Sequence, residues 1–216
     1  MKSNLDLSLY LVTDQLLAKG RDIVWIVEQA VAGGVTIVQL REKDCPTGEF
    51  IVIAQKLKDL LSKRNVPLII NDRLDVALAV DADGVHIGQS DMPYEIARKI
   101  LGDNKIIGLS VESVDDVKIA NQLDVDYIAI SPVYDTLTKS DTNTAFGLKA
   151  LKEAIDLSVH PTVAIGGMNK TTIADVISAG TDGVAVISAI ISAEFPDRSA
   201  VELMEIITAN RLSDSQ

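Results

Sequence analysis

The chain has 216 residues, enough for one sizeable core, and a formal charge of −11. That charge speaks against nucleic-acid or acidic-membrane partners, which require basic patches, and no apolar run approaches the roughly 20 residues needed to span a bilayer. Cys45 is the single cysteine, which excludes an intramolecular disulfide, and Met1-Lys2-Ser3-Asn4 begins no apolar leader, so the reading is a soluble, cytoplasmic protein.

Hydrophobic residues make up 47% of the chain and aromatics only 4%, the composition of β-branched strands under alanine-rich helices. The first apolar run, Leu7–Val12, predicts a strand. Ile23, Val24, Val27, Ala30 and Val31 then share a helical face that stops at Gly33-Gly34. The second strand, Val35–Leu40, runs into Gln39-Leu40-Arg41-Glu42-Lys43. Alternation predicts that Val35, Ile37, Gln39, Arg41 and Lys43 all face the interior. Inward cations need either a carboxylate partner, such as Glu42, or an anionic ligand, because unpaired buried charge is costly. Arg41 would serve as a forked donor and Lys43 as a point charge. Thr47 then opens a helix carrying Ile51, Ala54, Leu57, Leu60 and Leu61.

Strand three, Pro67–Ile70, leads into Asn71-Asp72-Arg73, and strand four, Gly84–Ile87, into Gly88-Gln89-Ser90-Asp91. Two aspartates after adjacent strands suit Mg2+, which takes carboxylate, phosphate and water oxygens. A helix cap at Asp72 and an Asx turn at Asp91 are the bland alternatives. His86, within strand four, is expected to fill an inward structural place rather than a catalytic one, and His160 to lie in a loop. Strand five, Lys105–Leu109, ends at Ser110, whose hydroxyl could donate to a phosphate or heterocycle, or cap a helix. No Ser/His/Asp set stands ready to make it a nucleophile, and Ser113 starts the next helix.

After strand six, Tyr127–Ile130, the stretch from Ser131 to about Gly147 reads as a long loop. Its Thr136-Leu137-Thr138-Lys139 offers two hydroxyls and an ammonium suited to closing over a phosphorylated ligand. Strands seven and eight, Thr162–Ile165 and Gly183–Ile187, end in Gly166-Gly167-Met168 and Ile187-Ser188-Ala189. Glycines and a helix start there suggest a phosphate cup. Asn169 marks a helix start and Gly180 a stop, and residues 211–216 are expected to fray.

Eight strand–helix units with nothing left over predict an α/β, single-domain (β/α)8 TIM barrel over residues 1–216, with the barrel at 6–210 and the site on its C-terminal rim. An open doubly wound sheet would want a glycine fingerprint after its first strand, where Thr13-Asp14-Gln15 stands instead.

The ordered set Val38-Gln39-Leu40-Arg41-Glu42-Lys43, Ile70-Asn71-Asp72-Arg73, Ala82 to Pro93, Thr136-Leu137-Thr138-Lys139, Ile165-Gly166-Gly167 and Val186-Ile187-Ser188 resembles the thiamine phosphate synthase family, from about Tyr10 to Ile191. The resemblance implies a magnesium-dependent transferase. It would condense 4-amino-2-methyl-5-(diphosphooxymethyl)pyrimidine with 4-methyl-5-(2-phosphoethyl)thiazole, or its carboxylated tautomer, releasing pyrophosphate. It implies the pyrimidine diphosphate on Gln39, Leu40, Arg41, Glu42, Lys43, Asn71, Ser110 and Lys139, with Arg41, Lys43, Ser110 and Lys139 acting on the leaving group. It places magnesium on Asp72 and Asp91, and the thiazole phosphate on Thr136, Leu137, Thr138, Gly167, Ile187 and Ser188. The chain departs from the family pattern at Ser131, often glycine, Asp135, often proline, and Met168, commonly isoleucine. Two other classes stay open. A barrel isomerase like the thiazole tautomerase would work without magnesium or a diphosphate, and a non-catalytic barrel would bind both ligands without product. The expected partners are small molecules, and a homo-oligomer is allowed.

Overall fold

The computed structural model describes residues 5–135 and 145–213. Eight strands run β1 (Leu9–Val12), β2 (Ile37–Leu40), β3 (Leu68–Asn71), β4 (Gly84–Ile87), β5 (Ile106–Val111), β6 (Tyr127–Ile130), β7 (Thr162–Ile165) and β8 (Gly183–Val186). Each pairs in parallel with the next, and β8 pairs with β1, so the sheet closes into the expected barrel. Around it lie α1 (Ile23–Ala32), α2 (Thr47–Ser62), α3 (Leu74–Ala79), α4 (Tyr94–Leu101), α5 (Val114–Ala120), α6 (Gly147–Leu157), α7 (Ile173–Ser178), α8 (Ser188–Ile191) and α9 (Pro196–Ser213). The four-residue α8 is an insertion after β8, and α9 supplies the outer helix of the eighth unit.

Alternation along the strands produces two cores. Outward residues such as Leu9, Leu11, Val38, Leu40, Leu68 and Ile70 pack under the helices. Inward residues Leu7, Tyr10, Val12, Ile37, Ile69, Tyr127, Val163 and Ala185 fill the barrel. Val35 belongs to the outer layer, against the sequence expectation, because β2 pairing begins only at Ile37 and the alternation does not reach back past it. Lys43 likewise departs from the inward row. The strand ends at Leu40, Arg41 N–H is taken by Thr13 Oγ1 at 3.0 Å, and Lys43 lies exposed in the loop beyond.

The N-terminal end of the barrel carries a fourfold device. Residues just before the even-numbered strands each accept the N–H at the head of the strand before. Thr36 Oγ1 takes Leu9 N–H at 3.2 Å, Asp83 takes Leu68 at 2.9 Å, Asp126 takes Ile107 at 2.8 Å and Asp182 takes Thr162 at 2.8 Å. Basic side chains join in: Lys58 from α2 bonds Asp83 at 2.9 Å, and Arg98 from α4 bonds Asp126 at 3.1 Å.

Helix ends follow the sequence in part. Gly33 caps α1, and a side chain there would strike the Asp197 carbonyl of α9, so glycine is the residue that lets the two helices approach. Ser113 caps α5 by accepting the Asp116 N–H. Asn169 does not start α7, which begins at Ile173. Its side chain instead accepts from Thr171 N–H and holds a turn. The expected fraying from residue 211 is also displaced: α9 continues to Ser213, and Arg211 reaches Ser8 Oγ at 2.6 Å and the Asp182 carbonyl.

Candidate active site

A cavity of about 170 Å3 opens at the C-terminal end of the barrel. One wall comes from Gln39 on β2 and Arg41 just after it, Asn71 ending β3, His86 on β4 and Ser110 on β5. The facing wall comes from Gly166, Gly167, Met168 and Asn169 after β7, with Ile187 and Ser188 after β8. Strand register sets this convergence. Gln39 stands opposite Ile69, Asn71 opposite His86, and Ser110 opposite Ala129, so every second residue of the upper strand halves faces inward.

Arg41 lies 3.9 Å from the Asp14 carboxylate, too far for a hydrogen bond but close enough to feel its charge. Glu42, next along, has Oε1 buried without a hydrogen-bond partner among the described residues. Burial raises its carboxyl, Asp14 adds to this, and Arg41 opposes it. Leu40 is fully buried in the outer core, so its side chain serves packing and only its backbone could meet a ligand.

Asp72 carries the most unusual backbone at the rim. Its φ is 58°, and Arg73 N–H bonds the Asn71 carbonyl across it at 2.6 Å, closing a three-residue turn. That turn aims the carboxylate at Asp91. Burial pushes the Asp72 carboxyl up to about 6, the neighbouring Asp91 adds to the rise, and Asn71 and Arg41 counter it. Asn71 Nδ2 donates to Asp72 Oδ2 at 2.6 Å, while Asp91 Oδ2 folds back to accept Gly88 N–H at 2.7 Å. Two carboxylates facing each other with one held up in pKa form a donor pair that a divalent cation would relieve. No cluster of three or more His, Cys, Asp or Glu suited to a metal occurs among the described residues, and an ion on two carboxylates leaves positions for substrate and water oxygens.

On the opposite wall Gly166 and Gly167 have φ of 100° and 71°, and side chains at either would strike Pro132 or Tyr134 of the β6 loop. Two bonds, Val133 N–H to Ile165 O at 2.9 Å and Tyr134 N–H to Gly166 O at 3.2 Å, hold that loop onto the β7 turn. Thr136, Leu137, Thr138 and Lys139 lie outside the described residues. The described residues on either side bond to one another, Phe146 N–H to Pro132 O at 2.8 Å and Gly147 N–H to Val133 O at 2.9 Å.

Gln39, Arg41, Asn71, Ser110, Gly167, Ile187 and Ser188 therefore meet in one cavity, with Asp72 beside it and close to Asp91. Lys43, Glu42 and Leu40 do not line it. Sequence reasoning passed over Tyr10 and Tyr127 as site residues, both buried, Tyr10 lining the cavity and Tyr127 beneath it; Ser131, noted there only as a departure from the family pattern, also lines the cavity. His86 faces inward with both ring nitrogens bonded, as the sequence led one to expect, and one of its partners is Ser110. Tyrosines at inward strand positions in so aromatic-poor a chain were the available signal, since a buried phenol needs a partner.

The family model described as thiamine monophosphate synthase matches residues 9–190. The chain belongs to that family. A thiamine-phosphate synthase of Clostridium novyi (strain NT) is 47% identical over 188 residues, covering 87% of this chain and 92% of the relative. One from Vibrio parahaemolyticus is 49% identical over 199 residues, covering 92% and 97%. Among solved structures, thiamine phosphate pyrophosphorylase from Pyrococcus furiosus superposes with a TM-score of 0.87 at 38% identity, covering 95% of this chain and 98% of that one. A 3-hexulose-6-phosphate synthase at 18% identity and TM-score 0.71 shares the fold alone. Membership of the family makes the chain a transferase of thiamine biosynthesis. No helix among the described residues is long and apolar enough to cross a membrane.

Proposed function

We propose that the cavity makes thiamine phosphate by dissociative displacement, with the pyrimidine diphosphate on the β2–β5 wall and the thiazole phosphate on the β7–β8 wall. The observation that carries this reading is the meeting of Gln39, Arg41, Asn71 and Ser110 with Gly167, Ile187 and Ser188 across one cavity, beside Asp72. Such a division sets the reacting carbon and the thiazole nitrogen face to face.

The chain's own residues act by placement and charge. Arg41 presents a forked donor to the diphosphate, and the Ser110 hydroxyl supplies a further hydrogen bond. Lys43 and Lys139 are assigned to the same leaving group through the family motif, Lys43 reaching in from the exposed loop. Glu42 and the Leu40 backbone would complete the pyrimidine side, and Thr136, Leu137 and Thr138 the thiazole side. Asp72 and Asp91 would hold Mg2+, which when bound supplies positive charge to the departing pyrophosphate. The aminopyrimidine can support a methylene cation, so the bond to the diphosphate can break early. The thiazole nitrogen has its lone pair already available, and no protein nucleophile is needed. Orienting the two rings then lowers the entropic part of the barrel's task.

The substrates are small molecules, and the lone Cys45 fits work in the reducing cytoplasm. The test is to mix both substrates with the protein, with and without chelator, and follow pyrophosphate. Release that needs both substrates and stops with chelator is expected. Turnover of a thiazole phosphate alone, indifferent to chelator, would refute the assignment.

A further inference from the structure

Five side chains from five strands form a single file across the barrel. Gln39 Nε2 of β2 donates to Tyr10 Oη of β1 at 2.9 Å. Tyr10 Oη lies 2.7 Å from Tyr127 Oη of β6, and Tyr127 Oη lies 3.0 Å from His86 Nδ1 of β4. His86 Nε2 lies 2.9 Å from Ser110 Oγ of β5. Its two end members, Gln39 and Ser110, were expected to touch a ligand; the three between them were not.

The first link sets the sense of the others. A phenol has one proton, and the buried Tyr10 already receives the Gln39 N–H, so its own proton goes to Tyr127. Tyr127 then gives its proton to His86 Nδ1. A neutral imidazole that accepts at Nδ1 carries its proton on Nε2, where Ser110 stands. The serine oxygen thus receives a donor, and its own proton is left for the cavity it lines. In the reverse sense Tyr10 would receive two donors, and its proton would be buried with no acceptor in the file, which is unfavourable.

Gly108 is an independent mark of the same arrangement. A methyl there would stand 2.3 Å from Tyr127 Oη and 2.6 Å from His86 Nδ1. Strand β5 therefore lacks a side chain at the point where one would wedge this pair apart. The rings are also braced, His86 stacked on Tyr127 at 5.6 Å and 25°, and Tyr10 edge-on to Tyr127 at 5.8 Å and 70°.

We propose that His86 is a positioning residue, held as the Nε2–H tautomer by Tyr127 and Tyr10, so that Ser110 turns its hydroxyl proton toward an anionic oxygen of the diphosphate substrate. This rests on the placement of that substrate at Ser110 given above. No proton travels along the file during the reaction. Its work is to fix the direction of one donor, as outer partners do for ligating histidines.

Two measurements separate the inference from the reading it rests on. In protein labelled with 15N-histidine the ring nitrogens report the tautomer without any substrate, and the signals lost in His86→Gln belong to His86. A protonated Nε2 and bare Nδ1 are expected at about pH 8, where an ordinary imidazole is neutral. Tyr127→Phe, which keeps the ring, should let the Nδ1–H form appear. An Nδ1–H tautomer or an imidazolium in the unaltered protein overturns the inference. The second measurement is a kinetic cycle of Ser110→Ala, His86→Leu and the double variant. Each single change should lower kcat by about tenfold or more with the thiazole phosphate KM within about twofold, and the double variant should be no slower than Ser110→Ala. His86→Gln, whose amide nitrogen can stand near the Nε2 position, should recover most of the turnover. Additive losses, or equal loss in His86→Gln and His86→Leu, overturn the positioning role. Unchanged kcat in Ser110→Ala overturns the substrate placement and the role of His86 together, whereas the wrong tautomer overturns the latter alone.

Discussion

Gly108→Ala is a small change with a large expected effect. The added methyl carbon would lie 2.1 Å from Tyr127 Cζ, whereas ordinary contact begins near 3.4 Å, so something must yield by about 1.3 Å. The obstacle is a fully buried ring wedged between Tyr10 and His86. Moving it that far stretches the 3.0 Å bond between Tyr127 and His86 past its useful range. Overpacking of this kind costs about 1–3 kcal/mol. Leaving a buried phenol or imidazole nitrogen without its partner costs about 1–3 kcal/mol more. With roughly 2–4 °C lost per kcal/mol in a domain of this size, the melting temperature should fall by about 10 °C. Calorimetry and steady-state kinetics on the folded variant would check this, kcat being expected to fall by about tenfold as Ser110 loses its orientation. A variant with the parent's melting temperature and turnover would show that the interior has slack there, and the reasoning would be wrong.

Asp72→Ala should lower pyrophosphate release by about a hundredfold or more even at saturating magnesium, on the scale of losing a strong electrostatic stabiliser; near-parent release would remove Asp72 from the site. Because burial and Asp91 raise the Asp72 carboxyl from 3.8 to about 6, it favours folding below its unfolded value and loses that contribution as pH rises through 6. Binding a cation there must displace that proton, so magnesium affinity measured by calorimetry should weaken by up to about tenfold per pH unit below 6 and flatten above it. A flat profile from pH 5 to about 8 would contradict the shared site. Asp126→Ala should destabilise the fold by about 1–3 kcal/mol, since it leaves the Ile107 N–H without its acceptor and takes the carboxylate from Arg98, which keeps the Gly102 and Lys105 carbonyls, yet leave kcat unchanged because Asp126 sits at the far end of the barrel. Denaturant melts alongside kinetics would test the separation.

The strands were legible because apolar, β-branched runs recur between helical faces, and all eight appear within a residue or two of the sequence expectation. The site was legible wherever polarity broke an inward row, as at Gln39, Arg41, Asn71 and Ser110. What escaped lay where the period was extended too far. Val35 and Lys43 share the parity of Ile37, but strand pairing covers only Ile37–Leu40, so the alternation has no force beyond it. Asn169 looked like a cap because caps and Asx turns use the same side-chain chemistry, and only the following backbone distinguishes them. The file from Gln39 to Ser110 was invisible for another reason. Its members are 10, 39, 86, 110 and 127 in sequence, and only barrel closure makes them neighbours.

The carboxylates and threonine at the closed end of the barrel divide it into quarters. Each quarter holds two strands and their helices, and its clasp lies wholly within it: Thr36 to Leu9, Asp83 to Leu68, Asp126 to Ile107, Asp182 to Thr162. Three of the four joints between quarters add a different kind of link, a cationic helix residue reaching into the next one along: Lys58 to Asp83, Arg98 to Asp126, and Arg211 to Ser8. Chain ends relocated to residues 63–67 or 102–105 would cut no clasp, so a permuted gene opened there keeps every quarter whole.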